Sequence, residues 1–172
     1  VYVRDKIYNA ETGVLLASAN SQNQGMSYAH WTHGGHQHYK LSSPCVADVC
    51  GDNNLELILG NEAYAVNIAN TSGMAGNSIS LTKQITPPGG ATRDGHAQVA
   101  DFNSDGHLDV FVSVRDTDIT NGTVYAYVWD VYNDTVSNPL VIPTDMSGKS
   151  FATIADIDND GQLEVLLQCG IR

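Results

Sequence analysis

Short apolar runs, separated by polar stretches rich in Gly, Asn and Asp, recur along the chain. One run, 108–114, carries four apolar residues at alternate positions: Leu108, Val110, Val112 and Val114. Phe111 lies between them, and the residues that match it in two similar runs, Ile58 and Leu166, are also apolar. Because successive side chains of a β-strand point to opposite faces of its sheet, these strands are apolar on both faces. The pattern predicts sheets that are covered on both sides.

Three of these runs belong to a longer repeat that aligns without gaps over 44–60, 97–113 and 152–168. The leading aspartates are 53 and 55 residues apart: Asp48, Asp101 and Asp156. This period suits one four-stranded blade of a β-propeller, and no segment has a convincing helical period. The sequence therefore predicts an all-β fold of four-stranded antiparallel blades, about three blades' worth, which form a partial propeller.

We expect residues 1–172 to form one repeat domain, with the following predicted parts: a half-blade at 1–19, a histidine-bearing insertion at 20–38, blades at 39–88 and 93–144, and a half-blade at 149–172. Alone, such a chain leaves strand edges and apolar faces open to water, including those that bear Phe111 and Leu166. We expect it to be part of a larger propeller or to associate with another copy.

Each repeat opens with an acidic loop of the form Asp-x-(Asp/Asn)-x-Asp-Gly-x-x-(Asp/Glu), whose positions are numbered 1 to 9 below. Calcium prefers six to eight hard oxygen ligands, which carboxylates, amides and backbone carbonyls supply. Side chains at positions 1, 3 and 5 converge when the loop curls, and the Gly at position 6 allows the left-handed backbone of the curl. The carbonyl of position 7 and the acid of position 9 complete the predicted calcium site.

The second loop offers Asp101, Asn103, Asp105, the carbonyl of His107, and Asp109. The third loop offers Asp156, Asp158, Asp160, the carbonyl of Gln162, and Glu164. The first loop keeps Asp48, Asp52, the carbonyl of Asn54, and Glu56. It departs from the pattern because Cys50, a poor calcium ligand, stands at position 3. Asn53 replaces its Gly, but Asn tolerates the left-handed region.

The strings VADFNSDGHLDVFVS and IADIDNDGQLEVLLQ resemble the FG-GAP/VCBS repeats of integrin-α-type β-propellers. In that family a calcium-binding hairpin loop joins the first two strands of each blade, so the resemblance implies the same arrangement here. Similar repeats occur in adhesins, in surface glycan-handling proteins and, more remotely, in rhamnogalacturonan lyases.

The chain has 19 acidic and 8 basic residues, a net charge of −11, and ten of the acids lie in the three loops. This balance argues against nucleic acid and anionic membrane surfaces as partners and favours cations. No apolar run is long enough to enter a membrane. Because the chain starts at Val1 without a signal peptide, we expect a mature product or a piece of a longer chain.

The insertion contains four histidines close to Trp31 and Tyr39: His30, His33, His36 and His38. Three interpretations stay open, namely an exposed polar loop, a transition-metal site of converging imidazoles, and a glycan-contacting surface with aromatic stacking platforms. His96 follows Arg93-Asp94-Gly95, which has the residue types of a catalytic cluster. It aligns with Ser43 and Phe151 in the other repeats, so we expect a surface residue. Cys45 and Cys50 point to opposite faces of a strand-like segment, so no bridge is expected between them.

The chain lacks a G-x-S-x-G nucleophile motif and a phosphate-binding glycine loop. We expect a secreted, extracellular or cell-surface module that binds calcium, mediates adhesion or glycan or protein binding, and is not itself catalytic. The alternative is part of a polysaccharide lyase similar to the rhamnogalacturonan lyases. A cluster of Arg and Lys in the central cleft would favour that alternative.

Overall fold

The computed structural model describes residues 1–19, 26–33, 36–41, 43–90, 94–115, 123–143 and 151–168. Within these ranges every regular element is a β-strand except a short 3-10 turn at Pro88–Gly90. All strand pairs are antiparallel. The all-β prediction is confirmed. The same ranges contain no helix with the length and hydropathy that a membrane span requires.

The N-terminal part forms a three-stranded sheet in chain order, made of β1 (Tyr2–Val3), β2 (Lys6–Tyr8) and β3 (Leu15–Ser18). A two-stranded hairpin follows, with β4 (Met26–His33) paired to β5 (His36–Leu41). One of the three interpretations had a loop here, and residues 26–33 and 36–41 of it form paired strands instead. Aromatic and β-branched residues favour strands here, and the intervening Gly34-Gly35 has the residue types of a two-residue hairpin turn. The four histidine side chains lie outside the part of the chain that the structure describes.

The central sheet has four strands in chain order: β6 (Cys45–Ala47), β7 (Glu56–Leu59), β8 (Glu62–Asn67) and β9 (Ser78–Gln84). The next sheet has five: β10 (His96–Ala100), β11 (Asp109–Arg115), β12 (Thr123–Asp130), β13 (Thr135–Val136) and β14 (Leu140–Pro143). Both β13 and β14 pair with β12. The last sheet is the pair β15 (Phe151–Ala155) and β16 (Glu164–Gln168).

The central sheet and the five-stranded sheet pack face to face around the main apolar core. Ile58 from one sheet and Val110, Val112 and Trp129 from the other are all fully buried in this core. The opposite face of β7 buries Leu57 and Leu59 in a second cluster, which includes Ala19 after β3. The innermost strands also meet, since Gln98 of β10 donates its side-chain N–H to the carbonyl of Ala152 in β15 at 2.6 Å. Successive sheets are thus stacked like the blades of a partial propeller.

The faces of successive sheets are covered to different extents. Ile58 is 0% exposed and Phe111 is 6% exposed, which confirms that these strands are buried on both faces. The expectation that the face of Phe111 is open is wrong, because a cavity beside Phe111 is lined by Leu163, Val165 and Leu167 around β16. Leu166, the matching residue in the last sheet, is 52% exposed. The open face therefore lies on the β15–β16 sheet.

Candidate metal centres

The three acidic loops occupy the same place in three sheets, between the two innermost strands. The strand pairs that close them have the same register: Ala47 opposite Glu56, Ala100 opposite Asp109, and Ala155 opposite Glu164. The acid at position 9 is therefore the first residue of β7, β11 or β16. This geometry directs a carboxylate from a rigid strand towards the loop that precedes it.

A shared set of hydrogen bonds folds all three loops. The leading carboxylate, from Asp48, Asp101 or Asp156, accepts the backbone N–H groups of positions 5 and 6 at 2.8–3.1 Å. The position 5 carboxylate accepts the N–H of position 7 at 2.8–2.9 Å. The position 9 carboxylate accepts the N–H of position 2 at 2.7–3.1 Å. The loop backbone therefore curls around the acidic side chains, which brings their carboxylates close together.

Two positions in every loop have a left-handed backbone. At position 6 the φ angles are 66° for Asn53, 90° for Gly106 and 89° for Gly161. The prediction that Asn53 can replace the glycine is confirmed. Position 4 is also left-handed, at Gly51, Ser104 and Asn159, with φ of 71°, 60° and 67°. The sequence analysis missed position 4, although the glycine at this position in the first loop was a signal for it.

The third loop forms the most compact group of acids. Carboxylate oxygens of Asp156, Asp158 and Glu164 all lie within 4.8 Å of one another. Asp160 lies outside this group, and its carboxylate accepts the backbone and side-chain N–H groups of Gln162 at 2.8 and 2.9 Å. No other trio of His, Cys, Asp or Glu in the described ranges comes as close together. Three hard, negatively charged oxygen donors around one point fit a calcium ion.

The second loop contains a buried carboxylate, that of Asp109, with one oxygen that lacks a hydrogen-bond partner. Its side chain is 1% exposed, and while Oδ2 accepts the N–H of Phe102 at 2.9 Å, Oδ1 is buried without a hydrogen-bond partner. Burial raises the pKa of Asp109, and the charges of Asp130 and Asp105 raise it further. A buried oxygen without a donor is costly, and a bound cation would supply what it lacks.

Asp105 has the opposite electrostatic environment. Its pKa is lowered, mainly by the hydrogen bond from the backbone of His107 and also by side-chain bonds from Asn103 and Asn133. Asn133 Nδ2 lies 2.9 Å from Asp105 Oδ2 and 2.9 Å from Asp130 Oδ2. Asp130 and Asn133 were not among the predicted ligands. They follow the loop by more than twenty residues, and only strand pairing brings them to it.

The first loop is less suited to calcium than the other two. Cys50 holds position 3, and burial, followed by the charge of Glu56, raises the pKa of its thiol to about 11. A thiol is in addition a soft donor, whereas calcium prefers hard oxygen ligands. Asp48 accepts a third backbone N–H, from Gly51 at 2.8 Å. Cys45 and Cys50 are both free thiols, which confirms that no bridge joins them.

Aromatic residues join the first loop to the second. The rings of His107 and Tyr132 stack at a centroid distance of 3.6 Å and an interplanar angle of 9°. Both rings lie over Gly51, where a Cβ atom would come within 3.0 Å of each. The close approach of the stacked rings therefore favours glycine at position 4 of the first loop, whereas Ser104 and Asn159 adopt the same left-handed backbone in the other loops.

His96, for which the alignment indicated a surface position, has a defined structural contact. It is partly buried at the start of β10, and its Nδ1 accepts the backbone N–H of Ser43 at 3.1 Å. Burial lowers the pKa of His96, so the neutral imidazole acts here as a hydrogen-bond acceptor. Next to it Asp94 is fully buried. Arg93 lies outside the described residues.

Comparison with known protein families agrees with this geometry. The family described as FG-GAP-like repeat matches residues 101–167, which run from the leading aspartate of the second loop almost to the end of β16. Comparisons with curated proteins and with solved structures gave no match. The first loop lies outside the matched segment but shares its register and hydrogen bonds. The chain therefore carries an FG-GAP-like repeat at residues 101–167, in a β-propeller-type module.

Proposed function

We propose that this chain is a calcium-binding β-propeller module of a secreted or cell-surface protein, which serves adhesion or the binding of glycan or protein and is not itself catalytic. The observation that carries the proposal is the group of Asp156, Asp158 and Glu164, whose oxygens lie within 4.8 Å of one another. Ionised carboxylates this close repel one another, so a divalent cation between them stabilises the folded loop.

The exposure of the loops supports an extracellular setting. Asp158 and Asp160 are exposed, and so are Asn103 and Asp105 in the second loop. Such open sites with three or four carboxylates resemble the sites of extracellular modules, which bind calcium with Kd values of about 10⁻⁴–10⁻³ M. A Kd far below the micromolar range would contradict this part of the proposal.

The buried carboxylate of Glu62, away from the loops, has a structural role. Glu62 is 2% exposed, accepts the hydroxyl of Tyr64 at 2.6 Å and accepts the side-chain N–H of Gln84 at 3.0 Å. Burial raises the pKa of Glu62, and the bond from Tyr64 opposes that rise. These bonds hold Glu62 inside the sheet, where it fastens β8 to β9.

The test of calcium binding is the melting temperature of the protein in calcium, magnesium and chelator. A ligand that binds only the folded state stabilises it by about 2.7 kcal/mol at one hundred times its Kd. For a chain of this size each kcal/mol raises the melting temperature by about 2–4 °C. We therefore expect the melting temperature to be clearly higher in calcium than in chelator. In magnesium the increase over chelator should be smaller. Equal melting temperatures in calcium and chelator would refute calcium binding.

A matched pair of substitutions assigns the effect to a loop. Asp156→Asn removes the leading charge of the third loop, and Asp48→Asn makes the same change at the same position of the first loop. Each asparagine keeps one of the two oxygens that accept the loop amides, so both variants lose the same kind of hydrogen bond. We expect Asp156→Asn to reduce the rise produced by calcium and Asp48→Asn to leave most of it. The reverse order would mean that the first loop is the principal site.

The binding role is tested separately, with the calcium-loaded protein on glycan arrays and on immobilised extracellular-matrix proteins. We expect binding that chelator abolishes. Release of unsaturated sugar products from polysaccharides would instead identify a lyase.

A further inference from the structure

Two buried acids face each other across neighbouring strands beside the second loop. The register of β11 and β12 pairs Val110 with Trp129, so the next pair is Asp109 and Asp130. Asp109 is 1% exposed and Asp130 is 9% exposed. Like charges directly opposite each other in a sheet are destabilising, and burial increases the repulsion. This pair therefore needs an explanation.

The bonds of Asp130 tie the second loop to the turn after β12. Its Oδ2 accepts Nδ2–H groups from Asn103 at 3.2 Å and from Asn133 at 2.9 Å, and its Oδ1 accepts the backbone N–H of Asn133 at 2.8 Å. Asn103 and Asn133 also donate to Asp105 Oδ2 at 3.1 and 2.9 Å. Two asparagines thus bridge two carboxylates, one in the loop and one in the strand.

This arrangement determines which end of the Asn103 amide faces the loop. Because Nδ2 donates to Asp130 and Asp105, Oδ1 points into the loop, where it accepts the N–H of Asp105 at 2.9 Å. Oxygen is the end that a hard cation requires. An aspartate at position 103 would instead place its charge against that of Asp130.

Both other loops differ at position 3, and the first repeat differs across the sheet as well. The third loop has the charged Asp158 at position 3, and the first has Cys50. In the central sheet the residue opposite the position 9 acid Glu56 is Ala65, where the five-stranded sheet has Asp130. An asparagine at position 3 and an acid across the sheet therefore occur together, in the second repeat.

A cavity of about 270 Å³ lies beside this network and is lined by Asn103, Asp109 and Asp130. The buried, unpartnered Oδ1 belongs to Asp109, one of the residues that line it. A buried polar atom without a partner calls for an explanation, and an ion or a water molecule is one that fits an oxygen. The network of Asp130 therefore lies beside Asn103 and Asp109, two of the proposed ligands of the second loop.

We propose that Asp130 is a positioning residue of the second calcium site, which orients the Asn103 amide oxygen towards the ion and supplies from β12 the negative charge that position 3 lacks. This inference rests on the proposed calcium binding. Asp130 acts through Asn103 and Asn133, in the way that outer carboxylates orient metal ligands elsewhere, where their loss typically costs about 10–100-fold in metal affinity.

The test is a calcium titration of the 172-residue chain, monitored by NMR. The backbone amide resonances of Gly106 and Gly161 report on the second and third loops separately. Asp130→Asn should raise the calcium midpoint at Gly106 by about 10-fold or more and leave that at Gly161 unchanged. Asp134→Asn is the matched control, because Asp134 is exposed in the same turn and its φ of 57° suits Asn. It should change neither midpoint.

A charge exchange tests the pairing itself. Asn103→Asp alone should weaken the second site, and Asn103→Asp combined with Asp130→Asn should return the Gly106 midpoint close to that of the native chain. The role of Asp130 is overturned if Asp130→Asn leaves the Gly106 midpoint unchanged, or if the double variant shows no recovery. Neither result would contradict the proposal that the loops bind calcium. No calcium response at either glycine would overturn both proposals. The Gly161 midpoint in each spectrum confirms that the variant is folded.

Discussion

Asp109 shows how much the surroundings of one carboxylate matter in these loops. It is one methylene shorter than Glu56 and Glu164, the acids at the same position of the other loops. Burial and the charges of Asp130 and Asp105 raise its pKa, and its Oδ1 has no hydrogen-bond partner. The ionised form is therefore less favourable here than in water, and a bound cation or a proton would relieve the repulsion.

We predict that Asp109→Asn raises the melting temperature of the calcium-free protein by about 2–4 °C at pH 7, the shift that 1 kcal/mol produces in a chain of this size. Because the folded pKa of Asp109 is raised, its contribution favours folding below its ordinary pKa of about 3.9 and is lost as the pH rises through the folded value. The advantage of Asp109→Asn should therefore shrink as the pH falls. Melting curves in chelator across this pH range measure it. A lower melting temperature at pH 7 would contradict the prediction.

The three acidic loops are more similar in backbone conformation than in side-chain identity. Positions 4 and 6 are left-handed in all three, although their residues are Gly and Asn, Ser and Gly, and Asn and Gly. Each combination places residues that tolerate or allow positive φ where the curl needs them. The curl then brings the acids together, so the backbone conformation is the precondition for the site.

We predict that Gly161→Ala destabilises the calcium-bound protein by about 1–2 kcal/mol, the cost of a left-handed backbone for an ordinary residue. A Cβ atom at Gly161 meets nothing within 4 Å, so the φ of 89° is the only source of strain. Gly161→Asn is the matched control, because Asn53 already holds this position in the first loop. Gly161→Asn should lower the free energy of unfolding clearly less than Gly161→Ala does, as measured by urea unfolding with calcium present. Equal losses for both would mean that side-chain volume, rather than φ, decides.

At the scale of the whole molecule, each sheet covers the face of the sheet before it. Ile58 is covered by the five-stranded sheet, and Phe111 by the β15–β16 sheet. Leu166 and the loop residue Ile157 are 52% and 57% exposed. An apolar sheet face of this kind favours association when it is left open to water.

We predict that the 172-residue chain, produced alone, self-associates through the face that bears Leu166. Leu166→Ser should shift sedimentation profiles towards the monomer, since it removes apolar area from this face. Leu140→Ser is the matched control, because Leu140 is 61% exposed on β14 at the edge of another sheet. A monomeric native chain, or an equal effect of both substitutions, would contradict the prediction.

The strands of the repeats and the acidic loops could be predicted from the sequence, because each depends on residues that are close together along the chain. The alternation of apolar residues in 108–114 determines strands covered on both faces, because side-chain direction in a strand depends only on position along it. The spacing of Asp48, Asp101 and Asp156 determines a repeated unit, and the acids of each loop are close in sequence, so their convergence follows from one turn. The left-handed Asn53 is local in the same way. The hairpin at Met26–Leu41 was missed because its aromatic and polar residues do not alternate clearly.

Features that join distant parts of the chain were decided only by the tertiary structure. Asp130 faces Asp109 because of the register of β11 and β12, and a shift of one residue would turn it to the other face. The stack of His107 and Tyr132 over Gly51 depends on two sheets packing together. Ile58, Phe111 and Leu166 are equivalent in sequence, yet the last is exposed, because burial depends on what the neighbouring sheet covers. The sequence by itself determined the strands of the repeats and the acidic loops, whereas the packing of the sheets decided which acids are buried and which apolar face stays open.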